Sequence, residues 1–366
     1  MEPAGDIMDK NKRLVSIVSW AAGAAVTVFA LVLCVTALPY RPRDISGILF
    51  YRGLFLSVGL LLIAFGFYFY PTLKHRSVIN VLFLLPILIP FVMTIIVPFV
   101  MGVFYSFTDW DGSYVKKFVG LKNYMDFFKA PDYINSIIMT FAFALVNVIV
   151  VNVVAFLLSL LVTQKIRGKN LYRAGYFIPN LIGGIVLGYV WQFIFNYLLT
   201  SLASIAGFGD GQSLLTSNSG AMAALVIVSG WQYAGYIMMI YVTALQGIPT
   251  SVIEASVIDG ATGWKRMISI IIPMIAHAFT ICIFLTLVNS FKQFDLNLSL
   301  TNGGPSKIMM GQAINGTELQ ALNIYKTAIT RNHWALGQAK AVVFFIILAV
   351  VSIVQVKLSK SREEEM

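Results

Sequence analysis

The segment IEASVIDGATGWKRMISIIIP, residues 253–273, separates two long hydrophobic stretches of the chain. Ser251 and Glu254 match the S-x-x-E pattern of a capping box, which predicts the start of a short helix. Asp259 and Gly260 predict the turn that ends it, because glycine tolerates a positive φ. The sequence therefore predicts a short helix that ends at a glycine joint.

A second helix is predicted to begin near Thr262. It carries Trp264, Lys265 and Arg266, which are side chains favoured at the level of lipid headgroups. It then runs into an apolar segment interrupted by Pro273. An ordinary amphipathic connector would also contain a glycine joint, but the complete ordered string favours a docking element within residues 247–267.

The composition predicts an integral membrane protein. Hydrophobic residues make up 58% of the chain and charged residues 11%, and the mean hydropathy is +0.81. A membrane-spanning helix needs roughly 20 apolar residues. Eight stretches meet that length: 14–38, 47–70, 78–107, 136–163, 174–197, 220–246, 268–290 and 338–357. The expected fold is thus an all-α membrane protein with eight transmembrane helices.

The basic residues suggest an orientation. The connection 164–173 is rich in lysine and arginine, whereas 198–219 contains neither. Basic loops prefer the cytoplasmic side, so both termini and the insert 247–267 are predicted to be cytoplasmic. The first span is too long for a signal peptide and is interpreted as a retained helix. The net charge of +10 is a membrane signature, and nucleic-acid binding is not expected.

Groups that would support chemistry on this chain are sparse. Cys34 and Cys282 both fall in predicted spans, and no metal cluster is indicated. No predicted span contains Asp or Glu, and Arg52 and Lys340 lie near helix ends, where they are expected to snorkel. This pattern argues against a proton-driven carrier. A phosphate-binding GxxxxGK[ST] loop is also missing, so ATP hydrolysis by that route is not expected here.

The segment 253–273 resembles the EAA loop of the permease subunits of binding-protein-dependent ABC importers. The matching residues are Glu254, Ala255, Asp259, Gly260, Ala261 and Pro273, with Ser256 where a second alanine is frequent. In that family this loop is the coupling helix that sits in a cleft of the ATPase subunit. The resemblance implies that ATP and Mg are bound by partner chains, with no cofactor on this chain.

Further segments resemble the same family, and two of them resemble its sugar-transporting branch, to which the maltose-type permease subunit belongs. Residues 98–132 and 325–341 resemble the family in general. Residues 167–191 and FDLNLSLTNGGP, from Phe294 to Pro305, resemble the sugar-transporting branch, and NGGP predicts a tight turn. The resemblance implies a six-helix permease core at 78–357. Two extra helices within 1–77 and a charged tail at 358–366 lie outside it.

The same resemblance suggests a substrate path. The candidates are Tyr233, Gly235, Tyr236, Asn289, Ser290 and Gln293. Asn289 and Gln293 are four residues apart and are expected to share a helix face. Polar residues in membrane helices also often only bond a neighbouring helix, so both interpretations stay open. Lys292 departs from the family pattern, and either snorkels outward or favours an anionic substrate.

The sequence thus predicts a non-enzymatic subunit of a carbohydrate importer in a prokaryotic inner membrane. The implied partners are a second homologous permease, two ATPase subunits and an extracellular solute-binding protein. An ion-coupled secondary transporter, or a relative carrying a polyol or glycerol phosphate, remains an alternative. A membrane-embedded transferase would need a catalytic constellation, for which Asp109, Asp111 and His333 are only scattered candidates.

Overall fold

The computed structural model describes residues 4–36, 45–69, 76–164, 167–206 and 212–364. Several features predicted from the sequence fall outside these residues. They are positions 37–38 and 70 at the ends of the first two spans, Lys165 in the basic connection, and the side chains of Cys34 and Arg52.

The chain forms two compact units, residues 1–100 and 101–366. The first unit contains α1 (Ala4–Thr36), α2 (Ile45–Phe69), α3 (Arg76–Phe91) and a π-helical turn at Val92–Ile96. Helices α1 and α2 pack closely along small residues. The hydroxyl of Ser16 donates to the carbonyl of Gly66 at 2.7 Å, and a Cβ on Gly23 would lie 2.8 Å from the carbonyl oxygen of Gly59.

Helix α4 (Val97–Ser106) runs across the boundary between the units. The second unit is then built mainly from long helices joined by two short hairpins. In chain order its elements are β1 (Thr108–Trp110), β2 (Val115–Phe118), α5 (Lys122–Phe128), α6 (Pro131–Thr163), α7 (Lys169–Leu181), α8 (Gly184–Phe193), α9 (Leu199–Ile205), α10 (Asn218–Gln246), α11 (Thr250–Ile258), α12 (Gly263–Arg266), α13 (Ile272–Met274), α14 (Ala276–Phe291), β3 (Ser306–Met309), β4 (Gln312–Asn315), α15 (Gln320–Tyr325) and α16 (Trp334–Glu364).

One buried cluster in the core of the second unit lies between α6, α10 and α14. Its fully buried members include Val151 on α6, Met238 and Tyr241 on α10, and Cys282 on α14. Many large apolar side chains on the outer faces of these helices are exposed instead. An apolar exterior is expected of a protein whose solvent is the lipid bilayer.

Six helical segments among the described residues are long and apolar enough to cross a membrane. They are Lys12–Ala30, Leu84–Ser106, Pro131–Thr163, Gly184–Ile205, Asn218–Gln246 and Trp334–Leu358. A seventh span exists if Gly263–Met274 and Ala276–Phe291, which meet at 71°, are taken together. The apolar part of α2 is the shorter segment Gly53–Tyr68. The predicted count of eight is therefore not confirmed.

One predicted span is displaced along the chain. The sequence predicted 174–197, but the spanning segment is Gly184–Ile205 and α7 is a separate helix that ends at Leu181. The backbone is extended at Ile182, with ψ 127°, and the N–H of Ile182 donates back to the carbonyl of Pro179 at 3.2 Å. Apolar residues continue across this break, so hydropathy alone merged the two helices.

The tight turn predicted at NGGP is present. Asn302 and Gly303 adopt positive φ values of 46° and 80° directly after a π-helical segment, Asn297–Thr301. The turn leads into the antiparallel β3–β4 hairpin, in which Ser306 pairs with Asn315. Glycine supplies one of the two left-handed residues without a Cβ penalty.

Candidate coupling surface and central polar site

Helix α11 begins two residues earlier than the capping box requires. Its first residue is Thr250 and its N-cap is Pro249, and no side chain caps it. Ser251 therefore lies inside the helix and cannot act as an N-cap, so the predicted capping box is wrong. The helix begins directly after Pro249 instead. The first N–H groups of a helix have no partner within the helix, so a proline, which lacks an N–H, costs no helical hydrogen bond at this position.

The glycine joint at the end of α11 is a Schellman turn. The N–H of Ala261 donates to the carbonyl of Ser256 at 2.9 Å, and the N–H of Gly260 donates to the carbonyl of Val257 at 3.0 Å. Gly260 has φ +74°, and a Cβ placed there would meet nothing within 4 Å. The glycine is therefore required by backbone conformation and not by packing.

The second helix begins where the sequence predicted. Thr262 is the N-cap of α12, and its hydroxyl accepts from the N–H of Lys265 at 3.4 Å. Trp264 is 76% exposed. Two helices thus meet at the joint, with an exposed aromatic side chain beside it.

Most of the predicted coupling residues are exposed, either on α11 or at the joint that ends it. Glu254, Ala255, Asp259 and Gly260 are exposed, and Ala261 is half-buried. Val257 is 57% and Ile258 is 85% exposed. Ser256 differs, because it is buried and its hydroxyl donates to the carbonyl of Ile253 at 2.6 Å. We call the exposed set Glu254, Ala255, Val257, Ile258 and Asp259 the coupling surface.

The coupling surface suits contact with another protein better than it suits catalysis. Ile258 and Val257 offer an apolar contact, and the carboxylates of Glu254 and Asp259 lie beside them. Interface centres combine apolar anchors with a polar rim. Among the described residues, no group of three or more His, Cys, Asp or Glu side chains could hold a metal ion.

The predicted substrate-path residues on α10 occupy different environments. Tyr233 and Tyr236 are half-buried. Gly235 is buried, and a Cβ there would overlap the backbone carbonyl of Tyr176 on α7. Gly235 thus allows α7 and α10 to approach each other, which is a packing role.

The remaining path candidates lie at the end of α14. Asn289 is half-buried on the helix, whereas Ser290 and Gln293 are buried. Because α14 ends at Phe291, Gln293 lies beyond it. The expectation that Asn289 and Gln293 share a helix face is therefore wrong.

Ser290 belongs to a line of polar contacts between α6 and α14. Asn147 donates to the hydroxyl of Ser290 at 2.8 Å, and Asn152 donates to the hydroxyl of Thr286 at 3.2 Å. The hydroxyl of Tyr241 on α10 donates to Asn152 at 2.8 Å. The sequence interpretation missed both asparagines, although two amides in an otherwise apolar helix are an available signal.

Lys340 is buried, in contrast to the expectation that it snorkels. It is 1% exposed, and its ammonium donates to Asn323 at 2.8 Å and to Thr327 at 2.9 Å. It also lies 3.8 Å from the carboxylate of Asp132, which accepts from Arg331 at 2.8 Å. The expectation is wrong because α15 and the start of α6 supply polar partners that hydropathy cannot reveal.

Asp132 and Glu318 show that carboxylates enter this part of the bundle. Asp132 lies in the first turn of α6, within the spanning segment Pro131–Thr163, although the predicted span began at 136 and contained no acid. Glu318 is 2% exposed and accepts from Lys326 at 3.1 Å and from Asn323 at 2.7 Å. Both acids are paired, as buried charges require.

The fold and composition together define a multi-pass membrane protein. Residues 167–363 match the family described as "Binding-protein-dependent transport system inner membrane component". The chain belongs to this family of inner membrane transport components.

This chain matches two relatives over most of the length of each. The probable starch degradation products transport system permease protein AmyD of Thermoanaerobacterium thermosulfurigenes is 45% identical over 286 residues, 78% of this chain and 95% of AmyD. The multiple sugar-binding transport system permease protein MsmF of Streptococcus mutans is 30% identical over 262 residues, 71% of this chain and 88% of MsmF.

A solved structure shares the fold. It is a chain of a bacterial alginate ABC transporter in complex with an alginate pentasaccharide-bound periplasmic protein. The TM-score is 0.63 at 18% identity, and the match covers 78% of this chain and 93% of that chain.

Proposed function

We propose that this chain is the permease subunit of an ATP-driven importer and forms part of the path along which a carbohydrate crosses the inner membrane. It is a transport subunit and not an enzyme. Membership of the family supports the transport role. Two relatives, named for starch degradation products and for multiple sugars, support a carbohydrate as the transported substrate.

The proposed assembly contains this chain, a second homologous permease, two ATPase subunits and an extracellular solute-binding protein. Both termini and α11 lie on the cytoplasmic side, where ATP and Mg are bound by the ATPase subunits. The solute-binding protein delivers the sugar on the opposite side. The similar alginate transporter was solved in complex with a periplasmic protein, which supports this last element.

The coupling surface carries the mechanical part of the proposal. Ile258 is 85% exposed at the end of a short helix whose Schellman turn holds it in place. Inserting this apolar side chain into a cleft of the ATPase would anchor α11, and movement of the ATPase would then be transmitted through α12 and α13 to α14. An apolar residue in a partner pocket is the typical anchor of a protein interface.

The test is purification of the complex from its native host in mild detergent. We expect a second permease and an ATPase to co-purify and maltotriose uptake by the reconstituted complex to require ATP. Ile258→Glu should lose the ATPase. Ile308→Glu is the matched control, because Ile308 is 81% exposed on the β3–β4 hairpin and lies outside the coupling surface.

Two outcomes would contradict the proposal. Recovery of the chain alone, with uptake that follows an ion gradient and ignores ATP, would favour a secondary transporter. Uptake of a polyol or glycerol phosphate, but of no saccharide, would retain the importer and replace the substrate class.

A further inference from the structure

A break in the chain separates α14 from the next helical segment. Helix α14 ends at Phe291, and helical structure resumes at Asp295. Lys292 and Asp295, one at each side of this break, are both exposed. Within the part of the chain that the structure describes, neither takes part in an ion pair.

A contact with the midpoint of α6 places this break halfway along the length of the helices. Asn147 lies midway between the ends of α6, Pro131 and Thr163. At 1.5 Å per residue it is about 24 Å from either end. Its side chain donates to Ser290, at the end of α14, at 2.8 Å. The residues that follow Ser290 therefore begin the break at mid-depth.

The midpoint of α10 gives the same depth independently. Gln232 lies midway between Asn218 and Gln246, and its side chain donates to the carbonyl of Ile182 at 3.2 Å. Gly184 lies two residues after Ile182, and a Cβ on Gly184 would lie 2.8 Å from the Cβ of Asp295. Asp295 is thus level with the middle of α10.

Exposed charges at this depth need an aqueous or polar surrounding. Half of the hydrocarbon thickness is about 15 Å, which is more than a lysine side chain can span by snorkelling. A carboxylate such as that of Asp295 is still less able to reach the headgroups. Charged residues inside a membrane face a water-filled cavity or another protein group. The outward snorkelling considered for Lys292 is therefore inconsistent with its position.

We propose that Lys292 and Asp295 line the substrate path and contact the carbohydrate during transport, an inference that rests on the proposed function. The carboxylate of Asp295 accepts hydrogen bonds from sugar hydroxyls, and the ammonium of Lys292 donates to sugar oxygens. Charge-assisted hydrogen bonds of this kind are stronger than neutral ones. The opposite signs leave this part of the path without net charge, which fits an uncharged sugar.

Two buried amide oxygens are consistent with a polar centre. Among the described residues, Oδ1 of Asn147 and Oε1 of Gln232 are buried and accept no hydrogen bond from the protein. Both belong to the residues that mark the helix midpoints. Buried acceptors normally have a partner, and a hydrated or sugar-filled path beside them would supply donors.

The experiment uses single cysteines in the complete complex. Lys292→Cys and Asp295→Cys are made in a background carrying Cys34→Ser and Cys282→Ala, and each complex is treated with a charged, membrane-impermeant methanethiosulfonate. Leu145→Cys is the matched control, since Leu145 is 66% exposed and lies two residues from Asn147 on α6, at the same depth. ATP-dependent maltotriose uptake by the background complex is measured first.

We expect both path cysteines to react about tenfold faster than Leu145→Cys, because a charged reagent does not enter hydrocarbon. Maltotriose at about four times its Kd should slow the reaction about fivefold by mass action. Reaction without protection would overturn the proposed sugar contact. Cysteines that do not react would show that the two side chains face a dry surface, which would overturn the inference as a whole.

The controls separate this inference from the proposed function. If the background complex takes up maltotriose with ATP but the cysteines do not react, only the assignment of Lys292 and Asp295 fails. If wild-type complex takes up neither maltotriose nor any other saccharide, the proposed substrate class fails and the sugar contact fails with it. Recovery of each variant with its ATPase verifies that the complex has folded.

Discussion

The ammonium of Lys340 lies 3.8 Å from the carboxylate of Asp132, so the start of α16 is joined to the start of α6 by opposite charges. The same ammonium donates hydrogen bonds to Asn323 on α15 and to Thr327, which lies just after α15. The aromatic ring of Tyr133 lies 5.6 Å from it as well. One buried side chain therefore holds three segments of the second unit together.

Replacing Lys340 should destabilise the protein. Lys340→Met leaves the acceptors of Asn323 and Thr327 unpaired and removes one cation from Asp132, which keeps Arg331. We expect a loss of about 2 kcal/mol or more, because removing one member of a buried charged network leaves polar groups uncompensated. Thermal unfolding of the purified complex in detergent measures the effect. Lys357→Met, at an exposed position of the same helix, is the control, and equal melting temperatures for the two variants would contradict the prediction.

The glycine joint provides a second pair of variants. Gly260→Val forces a β-branched residue into φ +74°, at a strain of about 1–2 kcal/mol, and should open the Schellman turn. Gly263→Val is matched, because a Cβ there also meets nothing within 4 Å but φ is not positive. We expect sugar-stimulated ATPase activity to fall in the first variant and to persist in the second. Equal activity would show that the turn does not hold the coupling surface in place.

Packing between α7 and α10 can be tested by comparing substitutions at two glycines of α10. Gly235→Ala places a methyl group on the carbonyl of Tyr176, which is backbone and cannot rotate away. The helices must separate, and overpacking of this type typically costs about 1–3 kcal/mol. Gly230→Ala meets only Val150, at 3.4 Å, and should be tolerated. Heat stability in detergent distinguishes the two. A Gly235→Ala protein that is fully stable but does not transport sugar would instead favour a role for Gly235 in the path.

A pH effect is expected at the β1–β2 hairpin, outside the spanning segments. The backbone N–H groups of Tyr114 and Ser113, together with the ammonium of Lys116, hold the pKa of Asp111 below its usual 3.8. The carboxylate therefore stabilises the turn above pH 3.8, and this support is lost as the pH falls through the lowered pKa. The protection of the Tyr114 amide hydrogen, measured as its exchange rate relative to the intrinsic rate at the same pH, should fall in that acidic range. Asp111→Asn should remove the pH dependence, and an unchanged profile in that variant would contradict the assignment.

The sequence predicted the membrane class and the glycine joint because both follow from local chemistry. Apolar stretches longer than a bilayer is thick have few alternatives to spanning helices. Gly260 and Thr262 have strong intrinsic preferences for a left-handed turn and an N-cap. The start of α11 was misjudged, because Pro249 and Ser251 compete within two residues to begin the same helix.

Span boundaries were less accessible to the same reasoning. Hydropathy cannot distinguish a continuous span from two apolar helices separated by an extended residue, as at Ile182 between α7 and α8. The same difficulty applies to the 71° bend before α14 and to its end at Phe291. Pro179 lies three residues before the first break and Pro273 lies just before the bend, but a proline does not by itself say whether a helix continues, bends or ends.

The sequence by itself determined that this chain spans a membrane, that it carries a turn at Gly260, and that its motifs follow the pattern of an importer permease. Only the tertiary structure decided where its charges lie. Lys340 is buried because Asp132, Asn323 and Thr327 converge on it from distant parts of the chain. Lys292 and Asp295 are exposed at the two sides of the break that follows α14. The environment of a charge depends on its neighbours in space, which local sequence does not specify.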